Sequence, residues 1–301
     1  MRYFTVDDLP DLDECVMAAL HLYKKEKPPK LVMPPFKRPL VVGSGNAAVT
    51  GRILFSQSDA TFATESTYQE VLERSPSIDG AVIIAASGSK SSVGIAQFLA
   101  EKKIKTVLLT NTKDSEASVY TDEVMVFPKN REPYTYNIST YLGMILAKTG
   151  EDPAMIEDHL TNVVIPLLSQ NLSYYDAFFF VVPAHVDAIR KMIRVKFAEL
   201  FGSKVIARAY TPKEAWHSKT VVLSEKEFFI VFGSENAAFG TKNQLSIPLP
   251  ENAGYGAMMA IAYFVIGRIQ AAHPPYFKEN IAEYVKKTSE HFGKEIPPIV
   301  E

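Results

Sequence analysis

The sequence predicts an α/β protein built from two tandem three-layer α-β-α domains with parallel sheets. Three observations carry that expectation. The chain has 301 residues, 47% of them apolar, which is enough to bury more than one core. Short β-rich runs alternate with longer helical segments, the pattern of parallel βαβ units with helices on both faces. The alternation then begins again in the second half, which reads as a diverged repeat of the first.

Residues 1–36 are expected to form an N-terminal helical arm and linker. Leu12, Val16, Ala19, Leu20 and Tyr23 recur at helical spacing, and Lys24 to Pro35 then breaks the pattern with four prolines. The first domain is assigned to 37–150, with strands at 40–42, 60–64, 81–85, 106–109 and 123–127 and a closing helix at 137–148. Gly150-Glu151-Asp152-Pro153 stops that helix and restarts another, so 151–172 is read as a connecting helix. The second domain, 173–272, is expected to run strand 178–182, helix 186–201, strand 204–207, short helix 212–218, strands 228–232 and 245–247, and helix 255–272. A tail, 273–301, completes the chain.

Composition narrows the function classes. A formal net charge of −2 without a basic block argues against a nucleic-acid partner. Cys15 is the only cysteine, so an intrachain disulfide or a cysteine-based zinc site is not possible. The first 13 residues lack the basic start and apolar stretch of an export signal, so the mature chain is expected to start at Met1 and to reside in the cytoplasm. The apolar run from Ala253 to Gly267 falls short of the ~20 residues that span a bilayer and is expected to be a buried helix, with no membrane partner. His21, His159, His185, His273 and His291 show no metal-ligand spacing, and no metal or cofactor is expected.

Two Ser/Gly-rich turns, each between a strand and a helix, are the chemical signal. The first is Gly43-Ser44-Gly45-Asn46. The second, Ser87-Gly88-Ser89-Lys90-Ser91-Ser92, puts four serines, one glycine and one lysine within six residues. Backbone N–H groups converge at such turns and the helix dipole favours an anion there, so phosphate is the expected guest. The same composition also serves tight turning and helix capping. Walker-type Gly-Lys-Ser/Thr and the three-glycine dinucleotide pattern are both missing. In the second half, Gly233-Ser234-Glu235-Asn236 occupies the corresponding turn, where Glu235 would repel a phosphate.

A second cluster combines Lys196 and Glu199, three apart on one helical face, with Glu214 and His217. A cation beside a carboxylate suits a base that takes a proton from carbon, and a histidine suits proton exchange with a ring oxygen. A Lys/Glu pair at this spacing is also a common solvated ion pair.

At these residues the sequence resembles the sugar isomerase (SIS) domain family in its tandem two-domain form, over roughly residues 37–290. Ala85-Ala86-Ser87-Gly88-Ser89-Lys90 is similar to the family's Ser-x-Ser-Gly-x-Thr phosphate loop, with Ala85 and Lys90 replacing two hydroxyl residues. Gly43-Ser44-Gly45-Asn46 resembles its first turn, Ala47 standing where a serine is usual. Lys196-Phe197-Ala198-Glu199 resembles its Lys-x-x-Glu, and Glu214-Ala215-Trp216-His217 its Glu-x-x-His. Asn280-Ile281-Ala282-Glu283 resembles its Asn-Leu-Ala-Lys tail, with Glu283 at the lysine position.

The resemblance implies SIS-like, flavodoxin-type domains and a phosphosugar isomerase acting by ring opening and C1–C2 proton transfer. Glu199, His217 and Glu214 would be catalytic, and Ser44, Asn46, Ser87, Gly88, Ser89, Lys90, Ser91 and Ser92 would bind the substrate phosphate. It further implies a homodimer in which the histidine reaches over from the neighbouring chain. Amino-sugar-phosphate deamination, fructosamine-phosphate deglycation and non-catalytic sugar-phosphate binding are the alternatives.

Overall fold

In the computed structural model, residues 3–218, 222–233 and 242–301 are described. The chain divides into two compact units. One comprises Glu26–Asn130 and Asn137–Gly150, the other Met1–Lys25, Arg131–Tyr136 and Glu151–Glu301.

α1 (Leu12–Lys25) opens the chain. The 26–150 unit then runs β1 (Pro39–Gly43), α2 (Asn46–Leu54), β2 (Thr61–Thr64), α3 (Tyr68–Arg74), β3 (Gly80–Ile84), α4 (Ser91–Glu101), β4 (Thr106–Thr110) and β5 (Glu123–Val126). After β6 (Glu132–Pro133), which belongs to the other unit, α5 (Ile138–Thr149) completes it. All pairings in its five-stranded sheet are parallel, in the order β2-β1-β3-β4-β5. β1, β3 and β4 are buried along their whole length, which is why they read as unbroken apolar runs rather than alternating ones. Leu40, Val42, Ile83 and Leu108 pack with Ile95 and Leu99 of α4. On the opposite face α2 comes so close that a Cβ on Gly51 would lie 2.7 Å from Val41 Cγ1.

The other unit continues through α6 (Pro153–His159), a π-helical turn (Leu160–Val164), α7 (Ile165–Leu167), β7 (Ala177–Val181), α8 (Ile189–Phe201), β8 (Ile206–Tyr210), α9 (Pro212–Ser218), β9 (Glu227–Phe232), β10 (Gln244–Ile247), α10 (Tyr255–Ala272), α11 (Tyr276–Phe292) and β11 (Ile299–Val300), the last pairing with β6. Its parallel sheet has the order β10-β9-β7-β8. Counted from β7, that is 2-1-3-4, the order of the first four strands of the other sheet. Phe178, Phe180 and Phe228 lie on the α8 side, where Phe197 meets Phe178 and Phe180 at 5.8 and 5.5 Å between ring centroids. Phe179, Val181, Phe229 and Val231 form the second face with Ala215 of α9. α10 is apolar all round and long enough to cross a membrane by length and composition, but 78% of that window is buried inside the protein. α1 packs on it, where a Cβ on Gly267 would fall 2.0 Å from Asp13 N.

Several boundaries differ from the sequence expectation. The connecting helix expected over 151–172 runs over 153–167 only, and it widens into a π-helical turn just before Pro166, which has no N–H to continue the ladder. β8 begins at Ile206 rather than 204, since Gly202 ends α8 at φ +57° and the chain needs Ser203 to Val205 to turn. The tail contains the 17-residue α11, whose Phe277, Ile281 and Val285 recur every four residues as a buried stripe. The turn beginning at Gly233 passes into residues 234–241, so Glu235 lies outside the described residues.

Candidate functional site

The order β2-β1-β3-β4-β5 reverses direction between β1 and β3. In open parallel sheets the crevice beyond the carboxyl ends of two such strands is the ligand position. Both Ser/Gly turns lie there, one after β1 and the other after β3.

Each turn is shaped by a close approach at a glycine, by backbone in the first and by a side chain in the second. A Cβ on Gly43 would stand 2.9 Å from Ala47 C and Ala48 N and 3.0 Å from Ile84 O, so glycine is required where the end of β1, the start of α2 and the end of β3 meet. Gly45 precedes α2 with φ +53° and ψ −120°. Lys90 precedes α4 with φ +61° and ψ −127°. One backbone conformation thus recurs in both turns, filled by glycine in the first and by lysine in the second. A side chain in this region costs about 1–3 kcal/mol and persists where the surroundings or the function demand it. Lys90→Gly is therefore expected to raise stability by about 1–2 kcal/mol while weakening phosphate binding. Thermal unfolding and titration with inorganic phosphate check the two effects separately.

Within the second turn the Ser87 and Ser89 hydroxyls lie 2.7 Å apart, a converging pair at the mouth. Ser91, exposed, starts α4. Ser92 is buried and its hydroxyl donates to Ser89 O at 2.7 Å, so it braces the loop from beneath. Gly88 has φ +61°, and a Cβ there would meet Ser115 Oγ at 2.2 Å and Ser115 Cβ at 2.6 Å. The floor below is polar: Thr110 Oγ1 and Asn111 N both donate to Ala86 O, at 2.7 and 2.8 Å. Ser115 Oγ, in a residue only 5% exposed, has no hydrogen-bond partner. Ser44 is half-buried in the first turn, and Asn46, buried, begins α2 and accepts the Thr50 hydroxyl on its carbonyl. All eight residues expected to hold phosphate thus lie on these two adjacent turns. Thr110, Asn111 and Ser115 were missed by sequence reasoning, although Thr-Asn-Thr directly after an apolar strand run is a readable sign of a carboxyl-edge loop.

The Lys196–Glu199 pair lies in the other unit. Lys196 is fully buried, and its ammonium donates to Glu199 Oε2 at 2.6 Å, Thr135 O at 3.0 Å and Tyr136 O at 3.3 Å. Three protons meet three acceptors. The faces of Tyr136 and Tyr263 add cation–π contacts, each 5.6 Å from nitrogen to ring centroid. Glu199 keeps 28% of its side chain exposed and borders a groove of about 670 Å³ together with Thr135, Lys204, Tyr276, Asn280 and Tyr284. The pair is therefore not a solvated surface bridge: one partner is locked in the core and the other opens to a cavity.

Glu214 and His217 are placed differently. Thr211 and Glu214 form a reciprocal capping box at the start of α9, with Glu214 Oε2 accepting from Thr211 N and Oγ1, both at 2.9 Å, and from Arg190. The backbone N–H of Thr211, then its hydroxyl and the Arg190 guanidinium, hold the Glu214 carboxyl below the usual range. Glu214 thus secures the helix that carries His217, which is exposed. Glu199 sits in the last turn of α8, leading into the amino end of β8, whereas α9 leaves the carboxyl end of that strand. With roughly 3.3 Å per strand residue, these positions stand toward opposite edges of the sheet, and the fold does not bring Glu199 and His217 together. Glu283 is exposed and paired with Lys287, away from the groove lining. Among the described residues, no three His, Cys, Asp or Glu side chains are grouped as metal ligands.

No protein-family model matches this chain, and no curated protein matches it in sequence. Solved structures do. The C-terminal domain of glucosamine-fructose-6-phosphate aminotransferase from Francisella tularensis is 13% identical, with a TM-score of 0.58 over 87% of this chain and 93% of that one. Glucosamine-6-phosphate deaminase from Thermotoga maritima is 13% identical, with a TM-score of 0.59 over 88% and 94%. Tagatose-6-phosphate ketose/aldose isomerase from Escherichia coli is 12% identical, with a TM-score of 0.60 over 89% and 92%. The chain shares their fold, and the resemblance read in the sequence holds at that level.

Proposed function

We infer from this shared fold that the chain belongs to the sugar isomerase domain family and acts on a phosphorylated sugar or amino sugar, interconverting aldose and ketose. The observation that carries the reading is the pair of Ser/Gly turns at the reversal point of the 26–150 sheet, where backbone closes on Gly43 and the Ser115 side chain closes on Gly88 too tightly for a Cβ at either. The 2-1-3-4 order of the other sheet supports the reading of two tandem domains with a common plan.

In this scheme Ser44, Asn46, Ser87, Gly88, Ser89, Lys90, Ser91 and Ser92 form the phosphate cradle. The dianion, distant from the reacting carbons, anchors the substrate so that proton transfer occurs within a held geometry. His217 gives a proton to the ring oxygen as the C1–O bond breaks, and the C1 hydroxyl gives up its proton to solvent to become the aldehyde. Glu199 takes the proton from C2 of the aldose and returns it to C1 of the enediolate while the O2 hydroxyl proton passes to O1, giving the ketose. Lys196 positions the Glu199 carboxylate, and Glu214 positions α9. The opposed placement of Glu199 and His217 favours a homodimer in which each chain lends its histidine to the other.

Incubation with a panel of hexose 6-phosphates and glucosamine 6-phosphate tests the reading. Aldose–ketose interconversion without ammonia is the expected result. Ammonia or amine release would assign the deaminase or deglycase alternative, and binding without turnover would assign the non-catalytic one.

A further inference from the structure

Thr135 occupies a backbone position that a β-branched residue rarely takes. The turn Pro133–Tyr136 closes with Tyr136 N donating to Pro133 O at 3.1 Å, and Thr135, its third residue, has φ +78°. That place in a turn suits glycine or asparagine, because a Cβ in the left-handed region crowds the following peptide. Nothing in the turn itself calls for threonine. Its hydroxyl adds a second cost, since Oγ1 is shielded from solvent and has no hydrogen-bond partner. An orphaned buried hydroxyl is unfavourable in the free protein.

Both costs fall at the edge of the groove that Glu199 borders. The Lys196 ammonium ties the two residues together, gripping the Thr135 carbonyl and the Glu199 carboxylate from the same buried point. Across the groove, α11 presents Tyr276, Asn280 and Tyr284, spaced four apart on one helical face. Tyrosine rings and an amide are side chains that receive the C–H faces and hydroxyls of a polyol.

We propose that Thr135 is a specificity residue of the groove, whose hydroxyl turns outward about its Cα–Cβ bond to hydrogen-bond a hydroxyl of the substrate's carbon chain, with Lys196 holding the strained turn in place for it. The inference rests on the proposed sugar-phosphate function and adds a recognition element for the sugar rather than for its phosphate. The hydrogen bond left unmet in the empty protein is made when a polyol enters, while the backbone strain stays and holds the hydroxyl in position. Inorganic phosphate, which carries no carbon chain, is indifferent to the residue.

The test compares Thr135→Val, which keeps the branched shape and removes the hydroxyl, with Thr135→Ser, which keeps the hydroxyl. Glucitol 6-phosphate is the probe, because an open-chain polyol phosphate without a carbonyl binds and does not react. Expected are a loss of about tenfold in glucitol 6-phosphate affinity for Thr135→Val, near wild-type affinity for Thr135→Ser, unchanged inorganic phosphate binding in both, and a raised melting temperature for Thr135→Val. Equal glucitol 6-phosphate affinity in wild type and Thr135→Val would overturn the role of Thr135 and leave the sugar-phosphate reading standing. A wild-type protein that binds inorganic phosphate but discriminates no sugar phosphate from it would overturn both.

Discussion

Gly88→Ala is expected to weaken inorganic phosphate and glucitol 6-phosphate binding by about 100-fold or more, each factor of ten corresponding to ~1.4 kcal/mol. The methyl group would be driven to 2.2 Å from Ser115 Oγ and 2.6 Å from Ser115 Cβ, so the loop must move as a whole. Overpacking of this kind costs about 1–3 kcal/mol, and a left-handed non-glycine residue adds about 1–2 kcal/mol. The loop is the cheaper part to displace, because its core-side anchors are few hydrogen bonds: Ala86 O to Thr110 and Asn111, and Gly88 O to Ala117 N. Its converging Ser87 and Ser89 hydroxyls would then be lost as a pair. Adding Ser115→Gly removes both colliding atoms and leaves only the backbone cost, so the double variant is expected to regain most of the affinity. Calorimetric titration of both proteins checks this, with circular dichroism to show that each is folded. Unchanged affinity in Gly88→Ala would mean that phosphate does not depend on this turn.

Lys196→Met carries the second large effect, on stability and turnover together. Methionine matches the length of the stem but supplies no proton. The Glu199 carboxylate and the Thr135 and Tyr136 carbonyls would lose their shared donor. Breaking a buried ion pair costs about 3–5 kcal/mol when the remaining charge is fully enclosed; with Glu199 28% exposed, water reaches the carboxylate and about 2–4 kcal/mol is the expected loss. Urea unfolding measures it. The cycle with Glu199→Gln separates pair from parts: in the Lys196→Met/Glu199→Gln protein no charge is stranded, so its destabilisation should fall below the sum of the single variants. Strict additivity would show that the two side chains are energetically independent.

How much of this was legible in the sequence follows from which forces are local. β1, β3 and β4 could be read because strands buried on both faces are continuous apolar runs. The two Ser/Gly turns were legible because glycine and serine spacing records backbone geometry directly. The reading of 151–172 as one helix takes no account of Pro166, whose consequence, a π-helical turn instead of a stop, depends on what packs around Leu160 and Val164, which are buried. Glu214 was read as part of a catalytic pattern, yet Thr211-Pro212-Lys213-Glu214 is equally a capping box, and the structure uses it as one. Thr135 left no signal at all, because the Lys196 ammonium that grips its strained turn lies 61 residues away in the chain. The helix α11 in the tail is legible in the sequence as well, since Phe277, Ile281 and Val285 recur every four residues.

Deuterium wash-in is the most direct measurement of the proposed chemistry. Fructose 6-phosphate and glucose 6-phosphate, with the other hexose 6-phosphates that the protein binds, are incubated with it in deuterated water, and isotope at C1 and C2 is read by nuclear magnetic resonance. Wild-type protein should introduce solvent deuterium into at least one of these sugars, and Glu199→Gln, still folded and still binding phosphate, should do so about 100-fold or more slowly. Exchange at the same rate in both proteins, or a bound hexose phosphate that takes up no deuterium from the wild type, would contradict the account.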